Sequence, residues 1–103
     1  MDFTGDGRAW LADYRRRIDD LRGRAEAAQA EIAGLTATAT SPDGAVVVTV
    51  GGAGELTGLT FGPAAEALGR ERLAEQVVST VAAAVAEASR RTGEALAPLL
   101  AAP

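Results

Sequence analysis

Leu11, Tyr14, Ile18, Leu21, Ala25, Ala28, Ile32 and Leu35 recur at alternating steps of three and four residues. This is the seam of a coiled coil or long bundle helix, and it commits residues 8–34 to one helix. Trp10 sits beside the seam. The remaining faces carry opposite charges at helical spacing: Asp13 with Arg17, Arg15 with Asp19, Asp20 with Arg24, and Arg22 with Glu26. Each such pair adds only a few tenths of a kcal/mol. Residues 1–7 read as a loose leader, because Gly5 and Gly7 discourage helix there.

After Leu35 the period drops to two. Thr36 to Thr40 alternates threonine with alanine, Ala45 to Val50 is a β-branched run, and Glu55 to Phe61 forms a third strand segment. The connections are short turns. Ser41-Pro42-Asp43-Gly44 combines a proline that pre-sets φ with a glycine that tolerates positive φ, and Gly51-Gly52-Ala53-Gly54 makes the second turn. Connections this short favour an antiparallel meander. Val46, Val48 and Val50 point to one face and Val47 to the other, which predicts a cover on both faces, the second supplied by another subunit. Gly62-Pro63 closes the strand block. Residues 64–69 are a connector, and a second amphipathic helix starts near Arg70, with Leu73, Val77, Val81, Val85 and Ala88 as its apolar stripe. Thr92-Gly93 is expected to weaken or end that helix near Arg91, leaving residues 96–103 as a tail that packs or frays. The reading is one α+β domain over residues 1–103: a long N-terminal helix, a three-stranded antiparallel meander and a C-terminal helix (α-β-β-β-α), joined as an intertwined homodimer.

What the chain lacks narrows its chemistry. It has no Cys and no His, so thiolate nucleophiles, disulfides, the commonest general base and the commonest metal ligands are all missing. No cofactor is expected. Aromatic residues make up 4% against 48% hydrophobic in total, a balance of small aliphatic residues that suits close helix packing better than a deep ligand pocket. Adjacent acids such as Asp19 and Asp20 diverge by about 100° around a helix and do not converge on one atom. No triad of nucleophile, base and orienting group can be assembled, so an enzyme is not expected. No signal peptide is read at the start, and the most apolar stretch, residues 77–88, is too short and too polar to span a bilayer. The expected location is cytoplasmic.

The order and lengths of these elements resemble the YbaB/EbfC family of nucleoid-associated proteins. The most specific part is the run from Gly44 to Leu59, G-x-V-x-V-T-V-x-G-x-G-x-L-x-x-L, followed by the Ala/Val-rich helix ERLAEQVVSTVAAAVAEASRR. The resemblance spans about residues 8–97. It implies an intimate homodimer with paired sheets at its centre and projecting helices. It also implies binding of duplex DNA with little sequence preference, and association with the nucleoid. Many members carry Gln, Met and Lys on the first helix where this chain carries Arg and Asp.

Net charge is −4, yet six of the ten basic residues, all of them Arg, fall within the first 24 positions. Arg15, Arg16, Arg17, Arg22 and Arg24 are the candidate DNA-binding residues. On the heptad with Leu11 at position a, Arg15 and Arg22 fall at e, Arg17 and Arg24 at g, and Arg16 at f. They can contact phosphates, or they can form a solvated, salt-bridged helix surface or e/g pairs at a helix contact. Val46, Val48, Val50, Leu59 and Phe61 are the candidate dimer interface. Trp10 and Tyr14 can stack on a base or pack in a core or dimer contact. Arg90 and Arg91 read as cations at a helix C-terminus. The 51–54 turn is read as a hairpin and not a phosphate loop, because it joins two strands and lacks the Gly-Lys-Ser/Thr ending. Duplex DNA and a second copy are the expected partners, with no membrane. An alternative on the same fold is a protein–protein adaptor that does not bind DNA.

Overall fold

The computed structural model describes residues 3–100, in the order α1 (Phe3–Ala33), β1 (Thr36–Thr40), β2 (Val46–Gly51), β3 (Leu56–Phe61), a 3-10 turn (Pro63–Ala67) and α2 (Arg70–Leu100). The three strands form one antiparallel sheet in the order β1-β2-β3. The α-β-β-β-α order read from the change of hydrophobic period is the order observed.

Both hairpin turns are built as their residue types dictate. Gly44 and Gly54 take φ of 75° and 83°, the left-handed region that a side chain resists. At the first turn the Asp43 carboxylate accepts from the Ser41 hydroxyl at 2.9 Å and from the Ala45 N–H at 3.0 Å. The Gln76 side chain of α2 also donates to it, at 3.0 Å. The hydrogen bond from Gln76 is the main cause, and those from Ala45 and Ser41 lesser ones, that hold the Asp43 carboxyl below its usual range.

α2 lies across β1 and β2. Ala37, Val46, Val48 and Val50 from the sheet pack against Ala84 and Ala88, ringed by Leu73, Val77, Val81 and Val85. Alanines at the centre of the helix stripe let it approach the sheet closely. The opposite sheet face is lined with threonine: Thr38 pairs with Thr49, their hydroxyls 3.2 Å apart, and Val47 lies between Thr40 and Thr60. Among the described residues only one face is covered. Val46, Val48 and Val50 have no exposed surface at all, so the expectation that they meet a second subunit is corrected: they form the core of the chain itself, beneath α2.

α1 meets the rest of the molecule only through its last turns. Ala28 is buried there, as is Ala95 on α2, whereas residues 7–24 are exposed apart from half-buried Asp13. Each helix has 31 residues, about 46 Å at the α-helical rise. Overlapped only at their C-terminal portions, they give the molecule its 83 Å length against 19 and 15 Å across.

The helix ends differ from expectation. α1 begins at Phe3, so residues 3–7 of the expected leader are helical; extending an existing helix is far less costly than nucleating one, which offsets Gly5 and Gly7. Met1 and Asp2 lie outside the described residues. α2 runs through Thr92 and Gly93 and on to Leu100, with Pro98 inside it, so residues 96–100 of the expected tail belong to the helix. Buried Ala95 and half-buried Thr92, Leu96 and Leu99 show why: tertiary contact on this stretch outweighs its weak local propensity. Residues 101–103 lie outside the described part.

Candidate nucleic-acid interface

The heptad seam determines which surface α1 presents. Beyond the last turns nothing among the described residues covers it, so Trp10, Leu11, Tyr14, Ile18 and Leu21 are all exposed, Trp10 by 67% and Leu21 by 52%. Trp10 and Tyr14, one turn apart, stack on each other with ring centroids 5.5 Å apart and planes 12° from parallel. Neither reaches the core of the chain.

Arg15, Arg16, Arg17, Arg22 and Arg24 all stand exposed on this projecting arm. Of the four ion pairs expected along it, Asp13 with Arg17 is closed, at 2.8 Å. Among the described residues Arg15, Arg16, Arg22 and Arg24 have no carboxylate within 4.0 Å. Helical spacing places Arg15 and Arg22 along one side of the apolar seam, Arg17 and Arg24 along the other, and Arg16 on the back. An arm with this arrangement offers guanidinium forks to an extended anion without first breaking a buried structure.

Arg90 and Arg91 play a different part from the one expected. They lie inside α2 rather than at its C-terminus, so a macrodipole role does not apply. Arg90 grips Glu87 through Nε at 3.1 Å and Nη2 at 2.7 Å and also pairs with Glu94. Arg91 reaches Glu87 at 2.9 Å and donates to the Thr36 carbonyl at 2.7 Å, tying α2 to the first residue of β1. The two guanidinium groups, Arg90 first, hold the Glu87 carboxyl at about 2, well below its ordinary 4.5. With Glu31, Gly34, Leu35 and Glu94 they line a shallow open cavity of about 470 Å³ where the arm joins the body. Arg90 is bound within α2, and Arg91 ties α2 to β1 beside this cavity.

The second glycine turn is part of the same joint. A Cβ on Gly52 would stand 2.3 Å from the Ile32 carbonyl oxygen, and the Thr92 hydroxyl donates to the Gly52 carbonyl at 3.0 Å. No residue pattern in the sequence announces that closeness; only the glycine itself hints at it.

β3 has one free edge. Leu59 and Phe61 pair with Val48 and Val46, so they stand on the helix side of the sheet, yet α2 does not extend over them and they are exposed by 40% and 53%. Leu56 joins them, because the register shifts between Thr49 and Val50 and brings Leu56 opposite Val50. Strict alternation from Leu59 would have placed Leu56 on the other face.

No curated protein matches the chain. The crystal structure of an uncharacterized protein, HP0035, from Helicobacter pylori is similar to it, with a TM-score of 0.60 at 19% identity, over 98% of this chain and 99% of that one. That likeness shares the fold. The family model described as the YbaB/EbfC DNA-binding family matches residues 9–102, nearly all of the 103-residue sequence, and the chain belongs to that family.

Proposed function

We propose that the protein is a non-catalytic, nucleoid-associated DNA-binding protein that acts as a homodimer, its projecting arms contacting duplex phosphates through Arg15, Arg16, Arg17, Arg22 and Arg24. The observation that carries this reading is the arm itself: five exposed arginines on a helix that serves no core of its own, in a chain of a DNA-binding family. The net charge of −4 makes the long-range field repulsive, so attraction is local, from arginines clustered on one helix. The contacts go to backbone rather than base edges, so little sequence preference follows.

The dimer forms along β3 in this reading. An edge strand with free backbone groups and three exposed apolar side chains, Leu56, Leu59 and Phe61, is a template for pairing. Pairing with the same strand of a second copy about a two-fold axis joins two sheets into one. No described helix is long and apolar enough to cross a membrane.

A gel-shift series with random-sequence duplex at about 50 mM and about 200 mM salt tests the DNA reading. Binding at the lower salt that falls steeply at the higher supports it. No shift at the lower salt overturns it.

A further inference from the structure

The apolar seam of α1 is not needed for phosphate contact, and along residues 11–24 nothing among the described residues covers it. Its flanks restrict what can. Along residues 11–24 every e and g position is arginine: Arg15 and Arg22 on one side, Arg17 and Arg24 on the other. The acids Asp13, Asp19, Asp20 and Glu26 fall at b and c, away from the seam. A second copy of the arm is therefore a poor occupant. In a parallel pair g faces e′ of the next heptad, and in an antiparallel pair g faces g′ and e faces e′; each arrangement sets arginine against arginine. Duplex DNA matches the charge but offers little apolar surface to Leu11, Ile18 and Leu21, which are between 38% and 52% exposed.

We infer that the arm of α1 is a docking site for an acidic amphipathic helix of another protein, one with an aliphatic stripe at heptad spacing flanked by Glu or Asp. Such a helix lays its stripe on Leu11, Tyr14, Ile18 and Leu21 and sets its acids against the arginine rails. The inference goes beyond the DNA reading and does not rest on it. Where both hold, helix and duplex compete for the same arginines.

The chain has one tryptophan, Trp10, beside the seam, and it reports directly on occupancy. The probe is a synthetic peptide of four heptads with Leu at a and d, Glu at e and g, and no tryptophan. A second peptide with Lys at e and g is its control. Titrated into the intact protein, the acidic peptide is expected to shift Trp10 emission to the blue, with an affinity that weakens as salt is raised, while the basic peptide gives no shift. Ile18→Ser with Leu21→Ser is expected to weaken the acidic peptide roughly 30-fold, the scale for losing central apolar anchors. The same variant keeps its gel shift with duplex if the DNA reading is correct, so the two readings fail separately. The inference is overturned if the acidic peptide leaves Trp10 unchanged. It is equally overturned if both peptides bind alike, or if the double variant changes the mass of the assembly in solution, which would make a second copy the occupant. A blue shift of Trp10 on adding duplex DNA alone, as large as that given by the acidic peptide, overturns it too.

Discussion

The sheet with α2 and the arm of α1 both carry periodic apolar sequence, put to opposite uses. In the body, Val46, Val48, Val50, Ala84 and Ala88 lose essentially all exposure, and each is held by neighbours from another element. On the arm, the heptad seam remains open, with Trp10 beside it and Leu11, Tyr14, Ile18 and Leu21 along it all exposed. Hydrophobic periodicity therefore says which face of an element will be buried, and says nothing of whether the chain or a partner does the burying. In the body the pattern is closed by packing; on the arm it stays exposed.

The comparison breaks most sharply under a buried charge. Val48→Asp places an unpaired carboxylate beneath α2 and costs several kcal/mol, against a total stability of roughly 5–15 kcal/mol for a domain. Loss of cooperative thermal unfolding by circular dichroism is expected. Leu21→Asp on the arm should change the melting temperature little, since the side chain already meets water and the change costs only a helix-propensity difference of under about 1 kcal/mol. Equal loss from both would mean that the arm is held by the body more tightly than its exposure indicates. Gly52→Ala sits between these extremes, at the joint. Its Cβ meets the Ile32 carbonyl at 2.3 Å, so the turn or the end of α1 must move. A cost of roughly 1–3 kcal/mol is expected, in the range for overpacking. Gly69→Ala is the matching control, because there the added carbon meets nothing within 4 Å.

The same contrast explains how far the sequence could be read. A period of three and four, then two, then three and four again located both helices and all three strands, because local backbone geometry forces those spacings. Helix ends were misplaced at Gly5, Gly7 and Thr92-Gly93, where local propensity is weak and helix propagation or packing from Ala95 decides. The valines of β2 were legible as a buried face, but their partner was not, since the sequence does not say that α2 folds back over β1 and β2. Leu56 was missed as an edge residue because a one-residue bulge reverses its face. The arginines of the arm were legible as a cluster. The ties of Arg90 and Arg91 to Glu87, and of Arg90 to Glu94, are three- and four-residue steps along one helix, whereas the bond from Arg91 to the Thr36 carbonyl depends on α2 meeting β1 in space.

Charge on the arm gives the next sharpening. Arg15→Gln, Arg16→Gln and Arg17→Gln together should leave the melting curve within the usual range for surface changes, because among the described residues only Arg17 of the three is ion-paired and that pair is exposed. Affinity for random duplex should fall, and the log–log salt slope should flatten by about 0.9 for each phosphate that is no longer neutralised. Arg90→Gln with Arg91→Gln should do the reverse, lowering stability with little change in the slope. Nitrocellulose filter binding across a salt series, beside thermal melts of the same samples, reads both. Slopes that respond equally to the two sets would deny the arm its distinct role.

The smallest expected effect is a pH dependence carried by Glu87 and Asp43 of the body. Glu87 has a folded value of about 2 against an ordinary 4.5, and the Asp43 value is lowered from 3.8. A carboxylate with a depressed folded pKa contributes stability that is fully present above its unfolded value and is lost as pH falls through the folded one. The Glu87 contribution is therefore complete above pH 4.5 and disappears progressively toward pH 2, with Asp43 adding to the decline below about 3.8. Asp43 is exposed and Glu87 half-buried at the surface, so screening keeps the effect modest and added salt should shrink it. Melting temperature measured from pH 6 down to pH 2 should fall within that window. Glu87→Gln should flatten the upper part of the fall, since its amide keeps a hydrogen-bond acceptor for Arg90 but has no charge to lose. Arg15→Gln, Arg16→Gln and Arg17→Gln together should leave this fall in place, because none of the three touches Glu87 or Asp43. Loss of the fall in the triple variant would reveal coupling between arm and body that the open geometry of α1 does not provide.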